Sequence, residues 1–403
     1  MTLRTFTARW LVVDSGRVCA GGGVVVDGEG IVAAVLESAD EVRRCAVGEV
    51  CELGEGILAP GWVNAHAHLE LTGLEGLLEA GEVFPDWIRA LLKGRAGLVD
   101  ADFDAAVGSG ADRLLRGGTT TVGEVDSTGA GARVLAQHPL RAVIFREALD
   151  IGVGERAAEV LAGLAMPLEV CAGVTEGLSP HAGYTVSDAL LEELGRLVES
   201  RPMPVQVHWN ETEDEVLWER GSASAFDGLV PGSTGLPTLA RLDAAGLLRG
   251  GLSLVHANHP AEDDRSLLRW RGVVVVHCPG AHAWFDREPF GLGAWTRAGV
   301  GVALGTDSSA GNADLDMGRE VALLRSGNPG VSPAEAFEMA TRTGARALGL
   351  EGKVGELCVG AHADLVLHTG EGDALEVLTG AGSRVERVWV GGEEVLLGEE
   401  GVA

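Results

Sequence analysis

The sequence lacks several features that mark whole classes of protein. It has no run of about 18 apolar residues, the length that a membrane-spanning helix needs. Its first residues lack the apolar core and small-residue cleavage site of a secretory signal. It has no basic run, and its formal net charge of −28 repels phosphate backbones. We therefore expect no membrane partner, no nucleic-acid partner and a cytoplasmic location.

The sequence also lacks paired cysteines. None of the six shows C-x-x-C spacing, which argues against a thiolate zinc site and against a disulfide framework. They are Cys19, Cys45, Cys51, Cys171, Cys278 and Cys358.

The two ends of the chain have the same character. Residues 1 to about 56 alternate short valine-rich runs with glycine turns, which is typical of strands and hairpins. GELCVGAHADLVLH and the segment after it repeat this pattern, and VGGEEV indicates a hairpin turn. We predict a small β-sandwich domain built from both ends, residues 1–57 and 355–403.

The middle of the chain repeats one unit eight times. Near-continuous apolar runs alternate with segments of helical spacing, such as DALLEELGRLVES and AEAFEMATRTGARALGL. This pattern predicts an α/β fold with a parallel sheet, and eight units favour a closed, TIM-like (β/α)8 barrel over residues 58–354. The alternative is an open doubly wound sheet, which would want an early glycine-rich phosphate fingerprint that this sequence lacks. The runs are ILAPGWVNAHAH, TTTVGEVD, LRAVIFREA, LEVCAGVTEGLSPH, MPVQVHWNE, LSLVHANH, GVVVVHCP and GVGVALGTD.

The first run ends in His66 and His68, whose side chains point to the same side of a strand. Taken alone, a His-x-His pair is as consistent with two unrelated histidines as with a metal site. Further histidines and one aspartate follow later runs, at the barrel end where active sites form. They are His181, His208, His256, His277 and Asp307.

Three histidines and one carboxylate suit a single divalent ion, with zinc favoured and iron or manganese as alternatives. We predict His66, His68, His208 and Asp307 as its ligands.

Several motifs together resemble those of the amidohydrolase superfamily, within it the branch of cytosine, guanine and S-adenosylhomocysteine deaminases. The motifs are PGWVNAHAH, PHAGYTVSD, HWNETEDE, LVHANH, GTDSSAGN and GAHADLVL. The resemblance implies a distorted (β/α)8 barrel, a composite β-sandwich and a mononuclear metal centre. The chain's only lysines, Lys93 and Lys353, lie outside the fourth run, so the bridging lysine of two-metal relatives has no counterpart here.

The resemblance also implies roles for three catalytic residues. Glu211, three residues after His208, corresponds to a glutamate that passes a proton to the substrate's ring nitrogen. Asp307 would take the proton of the attacking water, and His256 would hold that water. His181 matches a substrate-contacting histidine, although a packing role has equal weight.

Other residues resemble a subgroup, the 6-aminodeoxyfutalosine deaminases of menaquinone biosynthesis. Glu70 and Trp87 fit its pattern, and HCPGAHAWF places Ala281 and His282 where many relatives have Ser-Asn. We predict Glu70, Trp87, His181 and His282 as substrate-binding residues. Trp209, Trp284 and Phe285 could supply apolar faces, with ordinary packing as the alternative, and Arg146 and Arg287 are candidates for a substrate carboxylate.

The predicted function is the hydrolytic deamination of an amino-purine nucleoside, with 6-aminodeoxyfutalosine as the narrowest choice. Guanine or S-adenosylhomocysteine deamination, and hydrolysis of an amide, cyclic imide or carbon–halogen bond, are the alternatives. A non-catalytic metal-binding protein is a third reading. The sequence indicates no oligomeric state, while the resemblance allows a homodimer.

Overall fold

The computed structural model describes residues 3–77, 79–81, 83–151, 153–168 and 173–396. Cys171, with residues 169–172 of the predicted fourth run, lies outside the described residues, as do residues 397–403 of the predicted terminal domain. Across the described ranges, no helix combines the length and the apolar character needed to cross a membrane.

The described chain forms eighteen strands. They are β1 Arg4–Thr7, β2 Trp10–Asp14, β3 Arg17–Ala20, β4 Gly23–Val26, β5 Val32–Leu36, β6 Glu49–Glu52, β7 Ile57–Pro60, β8 Trp62–Ala67, β9 Thr119–Asp126, β10 Arg141–Ala148, β11 Val174–Pro180, β12 Val205–Trp209, β13 Leu252–His256, β14 Val274–His277, β15 Gly301–Leu304, β16 Leu365–Thr369, β17 Arg384–Val390 and β18 Glu393–Glu394.

Fifteen α-helices are found in the same described ranges, with short 3-10 helices at Leu69–Leu74 and Gly154–Arg156. The α-helices are α1 Ala39–Cys45, α2 Phe84–Arg95, α3 Asp100–Arg116, α4 Ala130–Leu135, α5 Ala157–Leu164, α6 Asp188–Ser200, α7 Glu213–Glu219, α8 Thr238–Ala244, α9 Asp264–Arg271, α10 Pro279–Trp284, α11 Leu292–Ala298, α12 Met317–Gly327, α13 Pro333–Met339, α14 Arg342–Ala347 and α15 Ala374–Leu378.

Strands β8 to β15 form one parallel sheet in chain order, with helices between successive strands. The ring closes just beyond β15, where the backbone N–H groups of Thr306 and Asp307 donate to the His66 carbonyl at 3.1 and 3.0 Å. Gly305 permits this approach, since a Cβ at that position would lie 2.8 Å from the same carbonyl oxygen. The predicted (β/α)8 barrel is therefore confirmed.

The outer helices present one apolar stripe to the barrel. In α6, Leu190, Leu194 and Val198 are buried at the spacing of one helix face. Its N-terminus is capped by Ser187, whose hydroxyl accepts a hydrogen bond from the Leu190 N–H. The core therefore lies between the strands and this ring of helices.

Two further sheets come from the chain ends. One has the order β5-β4-β1-β6, and the other, β18-β17-β16-β7-β2-β3, combines strands from both termini, as predicted. The predicted hairpin joins β17 to β18 through Gly391 and Gly392, whose φ angles of 58° and 72° belong to the left-handed region. The division of the chain into two domains at residues 57/58 and 354/355 stays a prediction.

Two segments differ from their predicted form. The run ILAPGWVNAHAH is divided between two sheets, because β7 pairs with β16 and β2, while β8 starts the barrel after Gly61. The helical segment near residues 334–350 is broken into α13 and α14. Thr341 lies at the break with φ −131° and ψ −93°, which is not a helical conformation.

Candidate active site

The predicted polar residues meet at one end of the barrel. His66 lies near the end of β8 and His68 directly follows that strand, while His208 and His256 lie at the ends of β12 and β13, and Asp307 follows β15. All of these positions are carboxyl ends of parallel strands, the end at which barrel enzymes hold their active sites.

The histidines His66, His68 and His208 form a tight cluster. Their ligand nitrogens lie within 4.8 Å of one another, and Nε2 of His68 is 3.2 Å from Nε2 of His208. His66 and Asp307 form a second such group with His256. All four predicted metal ligands thus lie at one place.

Hydrogen bonds fix which nitrogen of two of these rings is free. The Gln206 Nε2 donates to the Ala65 carbonyl at 2.9 Å, so Gln206 Oε1 faces His66 and must accept from its Nδ1–H, at 2.6 Å. The His181 carbonyl likewise accepts from Nδ1–H of His208 at 3.0 Å. Both rings therefore direct the lone pair of Nε2 into the cluster, as metal-binding histidines do.

The cluster fits a divalent cation. Nε2 of His66 is buried and has no hydrogen-bond partner in the described structure, which is costly unless a ligand satisfies it. Burial, with a smaller contribution from His208, lowers the pKa of His66 to about 3, and burial with His181 lowers that of His208 to about 3. Neutral imidazoles with inward lone pairs are metal ligands rather than ion-pair partners.

An acid–base group adjoins the histidines. His256 Nε2 lies 3.6 Å from Glu211 Oε1 and 3.9 Å from Asp307 Oδ2. Burial, followed by the nearby Glu211 charge, raises the pKa of Asp307 to about 7. Burial also raises the pKa of Glu211, although the Arg287 guanidinium, bonded to Glu211 at 2.6 Å, acts in the opposite direction. Burial thus shifts the pKa of both carboxyl groups upward from their ordinary values, toward the range in which a general acid or base works.

The backbone is strained where these groups lie. His256 has φ of 71°, Asp307 of 59° and Asn210 of 48°, all in the left-handed region that non-glycine residues seldom adopt. Each such residue costs about 1–3 kcal/mol, and this strain is concentrated at functional sites.

A cavity of about 520 Å³ opens above the cluster. Its outer wall is largely apolar and includes one face of α2. Volume and character match a small-molecule site. Residues lining the cavity include His68, Glu70, Phe84, Trp87, Ile88, Leu91, Arg95, Glu147, His181, Tyr184, His208, Glu211, Phe226, His256, Phe285 and Asp307.

Three of the four predicted substrate-binding residues line this cavity. Trp87 donates from its indole N–H to the Ala310 carbonyl at 3.1 Å, which fixes its ring against the wall. His181 bonds Thr185 through Nδ1 at 2.8 Å and leaves Nε2 toward the cavity side, 4.0 Å from Glu147. Glu70 accepts hydrogen bonds from Ser127 and Thr128.

The fourth, His282, is not among the residues that line the cavity. Its Nε2 donates to the Glu288 carbonyl at 2.6 Å, and its ring meets His277 edge-on. His277 in turn stacks on Phe290 with centroids 3.9 Å apart. Spacing along the chain could not show that α10 directs His282 away from the cavity.

The aromatic residues and arginines named as candidates also divide into those at the cavity and those away from it. Phe285 lines the cavity, whereas Trp209 is buried in the core and Trp284 is absent from the lining. Arg146 bonds Glu176 at 2.9 Å and also lies outside the lining. Arg287 is committed to Glu211 and lies over the ring of Phe285, 4.6 Å from its centroid.

Sequence reasoning missed Gln206, Arg95 and Glu147. Gln206 lies two residues before His208, so the alternation of a strand could have placed both side chains on one face. Glu147 ends the third apolar run, which is the same signal that identified the histidines. Arg95 carries no such signal, because it reaches the cavity only through the packing of α2.

Residues 57–395 match the amidohydrolase family. The chain belongs to this family. It is accordingly an enzyme, a hydrolase that acts on carbon–nitrogen bonds, and the amidohydrolase barrel explains why the metal-binding residue types lie at the ends of its strands.

Named relatives of this amidohydrolase are similar over most of their length. It is 31% identical over 370 residues to an aminodeoxyfutalosine deaminase of Deinococcus radiodurans, covering 86% of each chain. It is 32% identical over 383 residues to a 5-methylthioadenosine/S-adenosylhomocysteine deaminase of Halobacterium salinarum, covering 88% of this chain and 84% of the relative. The structure of an adenosine deaminase from Xanthomonas campestris with bound zinc is 29% identical, with a TM-score of 0.85 and coverage of 98% and 92%.

Proposed function

We propose that this amidohydrolase removes the exocyclic amino group of an adenosine-type nucleoside, with a divalent metal ion, zinc as the first choice, held by His66, His68, His208 and Asp307. The observation that carries the proposal is the convergence of Glu211, His256 and Asp307 beside the histidine cluster. The named relatives support it, since each acts on a nucleoside that carries an amino-purine.

The reaction needs a nucleophile, a proton acceptor and a proton donor. When bound, a divalent cation lowers the pKa of water toward neutrality. Asp307 accepts the proton of the attacking water, and neutral His256, whose pKa burial holds well below its usual value, orients that water. Glu211 delivers a proton to the ring nitrogen, because attack on a C=N carbon requires that nitrogen to be protonated as the water adds.

Completion of the reaction reverses these transfers. The tetrahedral carbon carries both the new oxygen and the amino group. Asp307 returns its proton to the amino group, the carbon–nitrogen bond breaks and ammonia leaves. The new hydroxyl gives its proton to Glu211 as the carbonyl bond forms, so that water and the amine yield the oxo-purine and ammonia and both carboxyl groups regain their starting state.

Within this class, 6-aminodeoxyfutalosine stays our narrower substrate proposal. The ring of its benzoate needs an apolar region, and Phe84, Trp87 and Phe285 form a cluster of packed rings along the cavity wall. The similarity to the Deinococcus radiodurans relative supports the same choice. A preference for 5-methylthioadenosine or S-adenosylhomocysteine would contradict this choice and leave the nucleoside deaminase proposal in place. A preference for guanine, a free base, would contradict the nucleoside proposal as well and leave the assignment as a deaminase.

The test is ammonia release from these nucleosides by purified protein, with the Glu211→Gln variant beside the wild type. Loss of the proton donor should lower kcat by about 10²–10⁴-fold. Glu213→Gln, an exposed glutamate two residues away, is the matched control and should keep full activity. Normal turnover by Glu211→Gln would refute the assignment of the proton donor.

A further inference from the structure

Two carboxyl groups, Glu70 and Glu147, face the cavity on the side of strands β8 to β10. Glu70 already has a full set of partners. The Ser127 hydroxyl and the Arg95 guanidinium, 3.1 Å away, meet its Oε1, and the Thr128 hydroxyl at 2.8 Å and the Ser127 N–H at 3.3 Å meet its Oε2. A carboxylate has about four acceptor positions, so Glu70 has little capacity left for a ligand.

Glu147 is in the opposite condition. Its side chain is only 10% exposed, and its contact with a basic group, His181 Nε2, is 4.0 Å long, beyond hydrogen-bond distance. No described residue donates a hydrogen bond to it. A buried carboxyl without a partner is costly, and its position in the cavity lining means that a ligand can supply the partner.

The protonation state of Glu147 at neutral pH suits the binding of a hydroxyl group. Burial, reinforced by the neighbouring Glu70 charge, raises the pKa of Glu147 to about 8. At neutral pH the group is therefore largely a neutral acid, which offers one O–H donor and a carbonyl acceptor. A sugar hydroxyl can engage either of them.

The position of Glu147 in the barrel indicates which part of the substrate it meets. Glu211 and Asp307 follow the fifth and eighth strands and His256 ends the sixth, whereas Glu147 is the last residue but one of β10, the third. The cavity continues from the reacting groups to Glu70 and Glu147, so a purine ring held at the reacting groups can direct its remote part toward β8 to β10. In a nucleoside, the remote polar part is the sugar.

We infer that Glu147, rather than Glu70, is the specificity-determining residue that binds a ribose hydroxyl of the substrate. Glu70 is then a positioning residue, which holds Arg95 and the Ser127–Thr128 turn in place. This inference rests on the proposed nucleoside deaminase activity.

The experiment combines variants with substrates. Adenosine, 2′-deoxyadenosine and 3′-deoxyadenosine are compared by kcat/KM for the wild type, Glu147→Ala and Glu147→Gln. Wild-type kcat/KM should fall about 10–100-fold for the deoxy analogue that lacks the bound hydroxyl. Glu147→Ala should lower kcat/KM on adenosine by the same factor. Its kcat/KM values on adenosine and on that deoxy analogue should differ by less than about 3-fold. Glu147→Gln keeps a donor and an acceptor, so it should retain most of the discrimination.

Two controls separate recognition from structure. Glu159→Ala, an exposed glutamate on α5, should change nothing. Glu70→Ala should lower Tm and reduce kcat/KM equally for the three substrates. An equal loss on all three substrates by Glu147→Ala, or unchanged discrimination, would overturn the inference. Absence of ammonia release by the wild type from every nucleoside tested would instead overturn the proposed function, and this inference with it.

Discussion

Two buried polar groups at opposite ends of the barrel differ in their hydrogen bonding. At the carboxyl end, Nε2 of His66 is without a partner, and His68 and His208 bring two ring nitrogens within 3.2 Å. At the amino end, where the barrel meets the terminal sheets, Asp364 is fully bonded. It accepts from Arg141 at 2.6 and 3.2 Å and from the Gly391 N–H at 2.7 Å. The His66 cluster is therefore built to gain a ligand, whereas the Asp364 pair already has its partners.

This difference follows from what each end does. A saturated buried pair stabilises the packing of one sheet on another and has nothing left to offer a ligand. An unsaturated cluster costs stability, and it persists because the surrounding strands fix it. In barrels of this kind, catalytic groups lie at the carboxyl end and stabilising groups at the opposite end. The Asp364 pair and the His66 cluster differ in the same way, the first with its hydrogen bonds made and the second with Nε2 of His66 unpaired.

The largest expected effect follows replacement of a carboxyl-end group. Asp307→Asn removes the proposed proton acceptor and a charged ligand, and kcat/KM should fall by about 10⁴-fold, roughly 5.5 kcal/mol. Bound metal, measured in the purified protein, should fall with it. The global fold should persist, since Asn keeps the size of the side chain, and circular dichroism can check this. Full metal content with full activity would remove Asp307 from the site.

A smaller effect, on stability instead of activity, is expected at the amino end. Asp364→Ala leaves the nearly buried Arg141 charge without its partner, and the free energy of unfolding should fall by about 3–5 kcal/mol. Turnover per folded molecule should stay unchanged, because this pair lies at the far end of β10 from the cavity. Denaturant unfolding gives the first quantity and ammonia release the second.

The exposed pair of Arg9 and Glu55 is the control for that measurement. Glu55→Ala should leave the unfolding midpoint almost unchanged, since solvent screens such a pair. The activity of Asp364→Ala is measured without denaturant, at a temperature where the variant is fully folded. A loss of activity there would contradict the assignment of a purely stabilising role to this pair.

The sequence predicted the barrel because its signal is local. Each apolar run of a two-sided buried strand can be identified alone, and eight of them in alternation with helices leave few topologies. The histidines His66, His68, His208 and His256 could be placed for the same reason, since each lies on such a run at a strand end. Residues outside strands were harder to place, and His282 is the example, because its direction depends on how α10 packs.

Ion pairs between residues far apart in the sequence could not be predicted from the sequence at all. The bond between Arg287 and Glu211 joins residues 76 positions apart, and that between Asp364 and Arg141 joins residues 223 apart. No local pattern distinguishes these arginines from the many that pair on the surface. The saturation of Glu70 and the isolation of Glu147 are likewise visible only in three dimensions, since both residues are glutamates next to predicted strand ends.

The smallest expected effect is a pH dependence of the unfolding free energy that comes from one buried histidine away from the cavity. His368 on β16 is 2% exposed, bonds Ser383 through Nδ1 at 2.9 Å, and lies edge-on to Trp62. Burial lowers the pKa of His368 to about 3, while the unfolded chain titrates near the ordinary value of 6.5. Between these two values the unfolded state binds more protons than the folded state, so stability falls as the pH decreases, by at most about 1.4 kcal/mol per pH unit.

We therefore expect the unfolding free energy of the wild type, relative to His368→Gln, to fall by about 2 kcal/mol between pH 7.5 and pH 5.0. The carboxyl-end histidines titrate too, but they are present in both proteins, and the difference cancels their contribution. Repeating the measurement after chelation should leave the difference unchanged, because His368 lies on β16 of the terminal sheet and is not one of the clustered histidines. The same pH dependence in both proteins would show that His368 is protonated, or exposed, in the folded state.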